Sequence, residues 1–177
     1  MKRIQELLKP RKDQPIHQGQ FNPKFTDKYV GNLSEIYFRS GWELKFMRHC
    51  DMSNDVLRWS SEAVMVPYTS PIDHRVHRYY IDFYIEVKNS EGNKSAWILE
   101  VKPTKHTKMP KRPLKESVKS LHNYVNEVKR VLVNQAKFKA ARNFAKMNDI
   151  KFGVVTLNLT TNHFEFVEWE ETLITTR

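Results

Sequence analysis

Between Ser34 and Asn158 the apolar residues change their period from helical to alternating and back again, and few architectures accommodate such a chain. From Ser34 to Cys50, Ile36, Phe38, Trp42, Phe46 and Met47 recur at near-helical spacing. Asn32 or Ser34 is the expected cap of this helix, and Glu35 falls in a first turn whose dipole favours an anion. From Ala63 the pattern is that of strands: Ala63–Tyr68, then turn formers over Thr69–His74, then a long aromatic and β-branched run over Val76–Val87. After a turn at Asn89–Asn93, Ser95–Lys102 is a third strand, apolar enough for a central position. A long helix is predicted over Glu116–Met147, with Val118, Leu121, Val125, Val128, Leu132, Ala136, Ala140, Phe144 and Met147 as its buried stripe. Strands at Lys151–Asn158 and His163–Trp169 close the chain. The order predicts an α/β or α+β sandwich, in which an antiparallel three-strand meander belongs to a mixed sheet flanked by helices.

The 177 residues suit one domain, with a core that needs no disulfide or structural metal. Residues 1–30 read as a basic arm: Pro10, Pro15, Gly19 and Pro23 prevent a continuous helix, and Arg11, Lys12, Lys24 and Lys28 give it charge. Phe21, Phe25 and Tyr29 can pin that arm to a body or a partner; residues 31–177 form the domain. Cys50 is the single cysteine, which excludes a disulfide framework and a Cys-based zinc site. No apolar run approaches the roughly 20 residues that span a bilayer, and the first ten residues turn polar too soon for a secretory signal. Membrane and secreted classes are therefore set aside. The net charge of +10 attracts polyanions, nucleic acid foremost, although charge alone also serves solubility.

The chemistry-bearing residues lie on the predicted strands. Glu100 and Lys102 flank Val101, and strand alternation points them to one face. Asp82, between Ile81 and Phe83 on the preceding strand, comes beside Glu100 in a plausible hairpin register. Two carboxylates that close repel each other, and a hard cation such as Mg²⁺, which takes one or two carboxylates, waters and phosphate oxygens, relieves the repulsion. Lys102 is then placed to orient or deprotonate a water, or to stabilise charge developing in the transition state. A cross-strand ion pair on a surface hairpin is the plainer account of the same residues. Glu62 reads as a solvated strand start or as an acid reaching in from the side. Arg39 reads as a phosphate clamp or as a partner of Glu43 or Glu35; His77, beside a turn, suggests a phosphate contact. The loop after Lys102 carries Lys105, Lys108, Lys111 and Arg112, which can hold a DNA backbone without reading its bases.

This pattern resembles the PD-(D/E)xK, or restriction-endonuclease-like, nucleases: Ile81-Asp82 stands for their Pro-Asp and Glu100-Val101-Lys102 for their acid-x-Lys. The family's order of helix, three-strand meander, helix and strand corresponds to about Ser34–Asn158. Tyr37–Phe46, Trp59–Glu62, Val66–Tyr68 and His77–Phe83 are similar to the head-completion nucleases of tailed bacteriophages, and also to TnsA-type transposase endonuclease subunits. In both, a glutamate on the first helix joins the metal site, and Glu43 in Arg39-Ser-Gly-Trp-Glu43 matches it. The transposase subunit commonly has glutamine where this chain has Glu100, and it carries an extra C-terminal domain, so the phage likeness is the nearer. The resemblance implies a Mg²⁺-dependent DNA endonuclease, with Mn²⁺ as a substitute and Glu43, Asp82 and Glu100 as metal ligands. It further implies work on phage DNA ends in the host cytoplasm or the virion, with portal or head–tail connector proteins as partners. Cutting of transposon ends and a non-catalytic head-closure role are the alternatives.

Overall fold

The computed structural model describes residues 19–103, 106–115, 117–161 and 163–167. Two short strands, β1 (Gly19–Gln20) and β2 (Tyr37–Phe38), pair antiparallel ahead of helix α1 (Gly41–Met52). Then come β3 (Val56–Thr69), β4 (Val76–Lys88), β5 (Lys94–Val101), helix α2 (Val118–Met147), β6 (Lys151–Leu157) and β7 (Phe164–Phe166). The five-stranded sheet runs β3-β4-β5-β6-β7. The first three strands form the expected antiparallel meander, β6 lies parallel to β5 after the α2 crossover, and β7 is antiparallel to β6. The α/β mixed sheet flanked by helices is thus as anticipated. Among the described residues no helix is long and apolar enough to cross a membrane.

Two element starts and one buried stripe differ most from the sequence reading. The first helix starts seven residues later than Ser34. Asn32 caps only a 3₁₀ turn at Leu33–Glu35, whereas Ser40 caps α1 by accepting from the Glu43 amide. Ile36 and Phe38 keep the apolar spacing of a helix but lie on extended backbone, with Ile36 fully buried. β3 begins at Val56, not Ala63. The stripe of α2 holds in part: Ala140 and Phe144 pack against the core, and Leu121, Val128, Leu132 and Ala136 are half-buried, but Val118, Val125 and Met147 are exposed and the fully buried residues are Val131, Asn134, Phe138, Ala141 and Ala145. Glu116 and the end of the expected last strand, at Trp169, lie outside the described residues.

Gly19–Val30, the described part of the arm, is built into the domain. The Asp51 carboxylate accepts from the amides of Lys24 (2.8 Å) and Phe25 (3.0 Å). Lys28 Nζ donates to the carbonyls of Asp51 (2.8 Å) and Ser53 (2.7 Å), which satisfies groups left open where α1 ends. Phe21 and Tyr29 meet the buried Trp59 edge-on, at 5.9 and 4.8 Å between centroids. Trp59, Phe46, Phe83, Leu99 and Val101 form the core on the α1 side. Val64, Val66, Tyr79, Ile81, Ile98, Ala141 and Ala145 form a second core under α2.

Two irregularities shape the centre of the sheet. The β3–β4 register slips between Ser61–Phe83 and Val64–Ile81, so Glu62 and Ala63 together oppose Asp82. Glu62 takes φ +49° there, an unusual conformation for a side-chain-bearing residue. The β4–β5 ladder ends at Phe83–Leu99, and the Asp82 carboxylate accepts from the Val101 amide at 2.9 Å.

Candidate active site

The alternation of β5 decides which side chains meet. Leu99 and Val101 enter the α1-side core, leaving Glu100 and Lys102 on the other face with Ile98. Glu100 is only 2 % exposed. Lys102 Nζ lies 2.7 Å from Glu100 Oε1 and 3.6 Å from Asp82 Oδ2, so one ammonium bridges two acids from neighbouring strands. The Tyr79 hydroxyl donates to Glu100 Oε2 at 2.6 Å. Asp82, Glu100 and Lys102 therefore converge at one place on the sheet.

Burial first, then the nearby Glu100 charge, raises the Asp82 carboxyl to about 7, against the opposing pull of Lys102. For Lys102, burial disfavours the charged form, but the Asp82 and Glu100 carboxylates outweigh it and hold the ammonium protonated above its ordinary range. In this state Lys102 is a cation beside two acids. Tyr79 is raised by burial and by the same two acids, so its hydroxyl remains a donor.

Glu43 stands at the edge of this group. Its charge raises both Asp82 and Lys102. Its oxygens, however, accept from Ser40 Oγ (2.9 Å) and the Arg39 amide (2.8 Å) in a capping arrangement at the start of α1. Among the described residues no three His, Cys, Asp or Glu side chains are gathered into a ready metal cluster. The donor chemistry nevertheless fits a hard cation: two convergent carboxylates, one with its proton affinity raised by the other, are the partial ligand set that Mg²⁺ completes with water and phosphate oxygens.

The expected DNA contacts are dispersed. Arg39 forms an ion pair with Glu62 on the bulge opposite Asp82, so neither of its expected acidic partners, Glu43 or Glu35, takes the guanidinium in that pair. His77 lies five residues along β4 from Asp82, about 16 Å at strand rise, and pairs with Asp73 at 2.8 Å. Lys108, Lys111 and Arg112 are exposed in the loop between β5 and α2; Lys105 lies outside the described residues. That loop is tied to α2 by Asn134, whose Nδ2 donates to the His106 carbonyl at 3.0 Å. Sequence reasoning passed over Tyr79. Its signal was a phenol near Asp82 on a strand bound for burial, where a hydroxyl needs a partner.

A helix-flanked mixed sheet with an aspartate on one central strand and Glu-x-Lys on the next defines a restriction-endonuclease-like domain. The family described as "TnsA-like endonuclease N terminal" matches residues 53–157, and the chain belongs to that family. The matched stretch includes Asp82, Glu100 and Lys102 and begins after Glu43. The chain is also 31% identical over 140 residues to the "Head completion nuclease" of Enterobacteria phage T4, across 79% of this chain and 91% of that protein. No solved structure matches the chain.

Proposed function

We propose that the protein is a Mg²⁺-dependent DNA endonuclease that processes DNA ends during completion of phage heads. The observation that carries this reading is the bridging of Glu100 and Asp82 by Lys102 Nζ, at 2.7 and 3.6 Å. Asp82 and Glu100 hold the metal, with Glu43 as the third carboxylate once it exchanges its contacts at the α1 terminus; Mn²⁺ substitutes for Mg²⁺. When bound, such an ion polarises the phosphodiester and lowers the pKa of a bound water. Lys102, already a cation, neutralises charge that builds on the scissile phosphate. Arg39, His77, Lys105, Lys108, Lys111 and Arg112 hold the DNA backbone, and the net charge of +10 supports a largely sequence-independent grip. Likeness to a head completion nuclease supports the phage role; portal or connector proteins are the docking partners that this reading expects.

Incubation of purified protein with supercoiled plasmid and Mg²⁺ tests the reading. Nicking that chelator abolishes, and that both Asp82→Ala and Lys102→Ala lose, is the expected result. Equal nicking by all three proteins, or robust cutting in excess chelator, overturns it. The TnsA-like family match favours one second reading, a subunit that cuts transposon ends within a complex. That reading expects neighbouring genes for a second transposase subunit and an ATPase, where the first expects portal and tail genes.

A further inference from the structure

We infer that Tyr79 is the positioning residue for Glu100: its hydroxyl holds one carboxylate oxygen and so fixes the other toward Lys102, the orientation in which Glu100 would serve, with Asp82, as a ligand to a divalent cation. The inference rests on the function proposed above and deepens it. A glutamate carboxylate turns easily about its last torsion, so burial alone does not orient it. Here both oxygens are held, Oε2 by Tyr79 at 2.6 Å and Oε1 by Lys102 at 2.7 Å. The two holders differ in kind. Lys102 is a flexible side chain that also serves Asp82, whereas the Tyr79 ring is 3 % exposed and wedged into the α2-side core. Lys137 of α2 lies 5.2 Å from that ring centroid, and the Tyr68 ring meets it edge-on at 6.3 Å. Core packing therefore sets the position of the phenol, and the phenol sets the plane of the carboxylate. Partners of this kind, one step out from a metal, typically account for about 10–100-fold in metal affinity.

Tyr79→Phe keeps the ring and removes only the donor; Tyr68→Phe removes a hydroxyl from the neighbouring ring as a packing control. Mn²⁺ binding without DNA, followed by calorimetry, and plasmid nicking against Mg²⁺ concentration are measured on both variants and the parent. For Tyr79→Phe, the Mn²⁺ Kd rises about 10–100-fold and half-saturating Mg²⁺ rises in parallel, while the rate at saturating metal stays near the parent's. Tyr68→Phe binds Mn²⁺ as the parent does. Parent-like Mn²⁺ affinity in Tyr79→Phe, beside a parent that binds Mn²⁺ and nicks DNA, overturns the role of Tyr79 and leaves the proposed function standing. Equal weakening in both variants, with equally lowered melting temperatures, assigns the effect to packing and also overturns it. A parent that neither binds Mn²⁺ nor nicks DNA overturns the reading of the site, and the inference with it.

Discussion

The two faces of the sheet are built from the same strands but are filled differently. On the α1 side, β5 contributes Leu99 and Val101 to a core of Trp59, Phe46, Phe83 and the anchored Phe21. On the α2 side the same strand contributes Ile98 and then Glu100, so a position that alternation makes internal holds an acid. A buried carboxylate costs several kcal/mol unless paired and hydrogen-bonded. Lys102 and Tyr79 supply the pairing for Glu100; Asp82 receives the Val101 amide and a more distant ammonium, and its raised proton affinity records the incomplete compensation. Both faces carry a core, but the α2-side one also takes in the acids and the lysine of the candidate site, at a cost to stability.

Substitutions that separate stability from activity sharpen that contrast. The largest effect is expected at Trp59, fully buried against Phe21 and Tyr29: Trp59→Ala costs about 3–5 kcal/mol by denaturant unfolding. A loss below about 1 kcal/mol would break the comparison at its structural end. Next comes Lys102→Ala, which lowers the nicking rate about 10²–10³-fold while the far-UV spectrum stays folded.

Asp82→Asn is expected to act in the opposite direction on stability. The folded carboxyl titrates at about 7 against an ordinary 3.8, so between those values the unfolded chain is ionised while the folded one keeps its proton. Folding then takes up a proton, and stability falls as pH rises from about 4 to 7 and stays low above that. Asparagine cannot ionise and can still accept from the Val101 amide. At pH 8 the variant is therefore more stable than the parent by on the order of 1–3 kcal/mol, and the gain fades toward pH 4, while nicking is lost. Thermal melts at the two pH values check the sign; a variant less stable at pH 8 removes the claim that this face carries uncompensated charge.

Sequence pattern made the reactive strand legible because two-residue alternation survives folding: Glu100 and Lys102 share a face, and Asp82 reaches them from the adjacent strand, as their apolar neighbours implied. The bulge at Glu62 was not legible, since it exists only as a register slip against β4. The Tyr79–Glu100 contact spans 21 residues and depends on where the β4–β5 ladder stops. Glu43 was legible as an acid of the first helix, yet that helix starts only at Gly41, because Ile36 and Phe38 reach the body from extended backbone at the same spacing a helix would use.

The stripe of α2 was only partly right for a different reason, and it sets the smallest prediction. Apolar periodicity marks a face without saying how far along a helix the sheet extends. Full burial along α2 begins at Val131, and the buried residues include Asn134 and two alanines, which a hydrophobic pattern under-reads. Over Val118–Arg130 no described residue is buried, so Val118 and Val125 face outward although they sit in register with a stripe. Val118→Ser and Val125→Ser should each change unfolding free energy by no more than about 0.5 kcal/mol, whereas Phe138→Ala, 20 residues beyond Val118 on the same helix, costs about 3–5 kcal/mol. Equal losses at Val125 and Phe138 would mean that the first half of α2 is covered in solution, and the helix would then have to be counted with the α2-side core along its whole length.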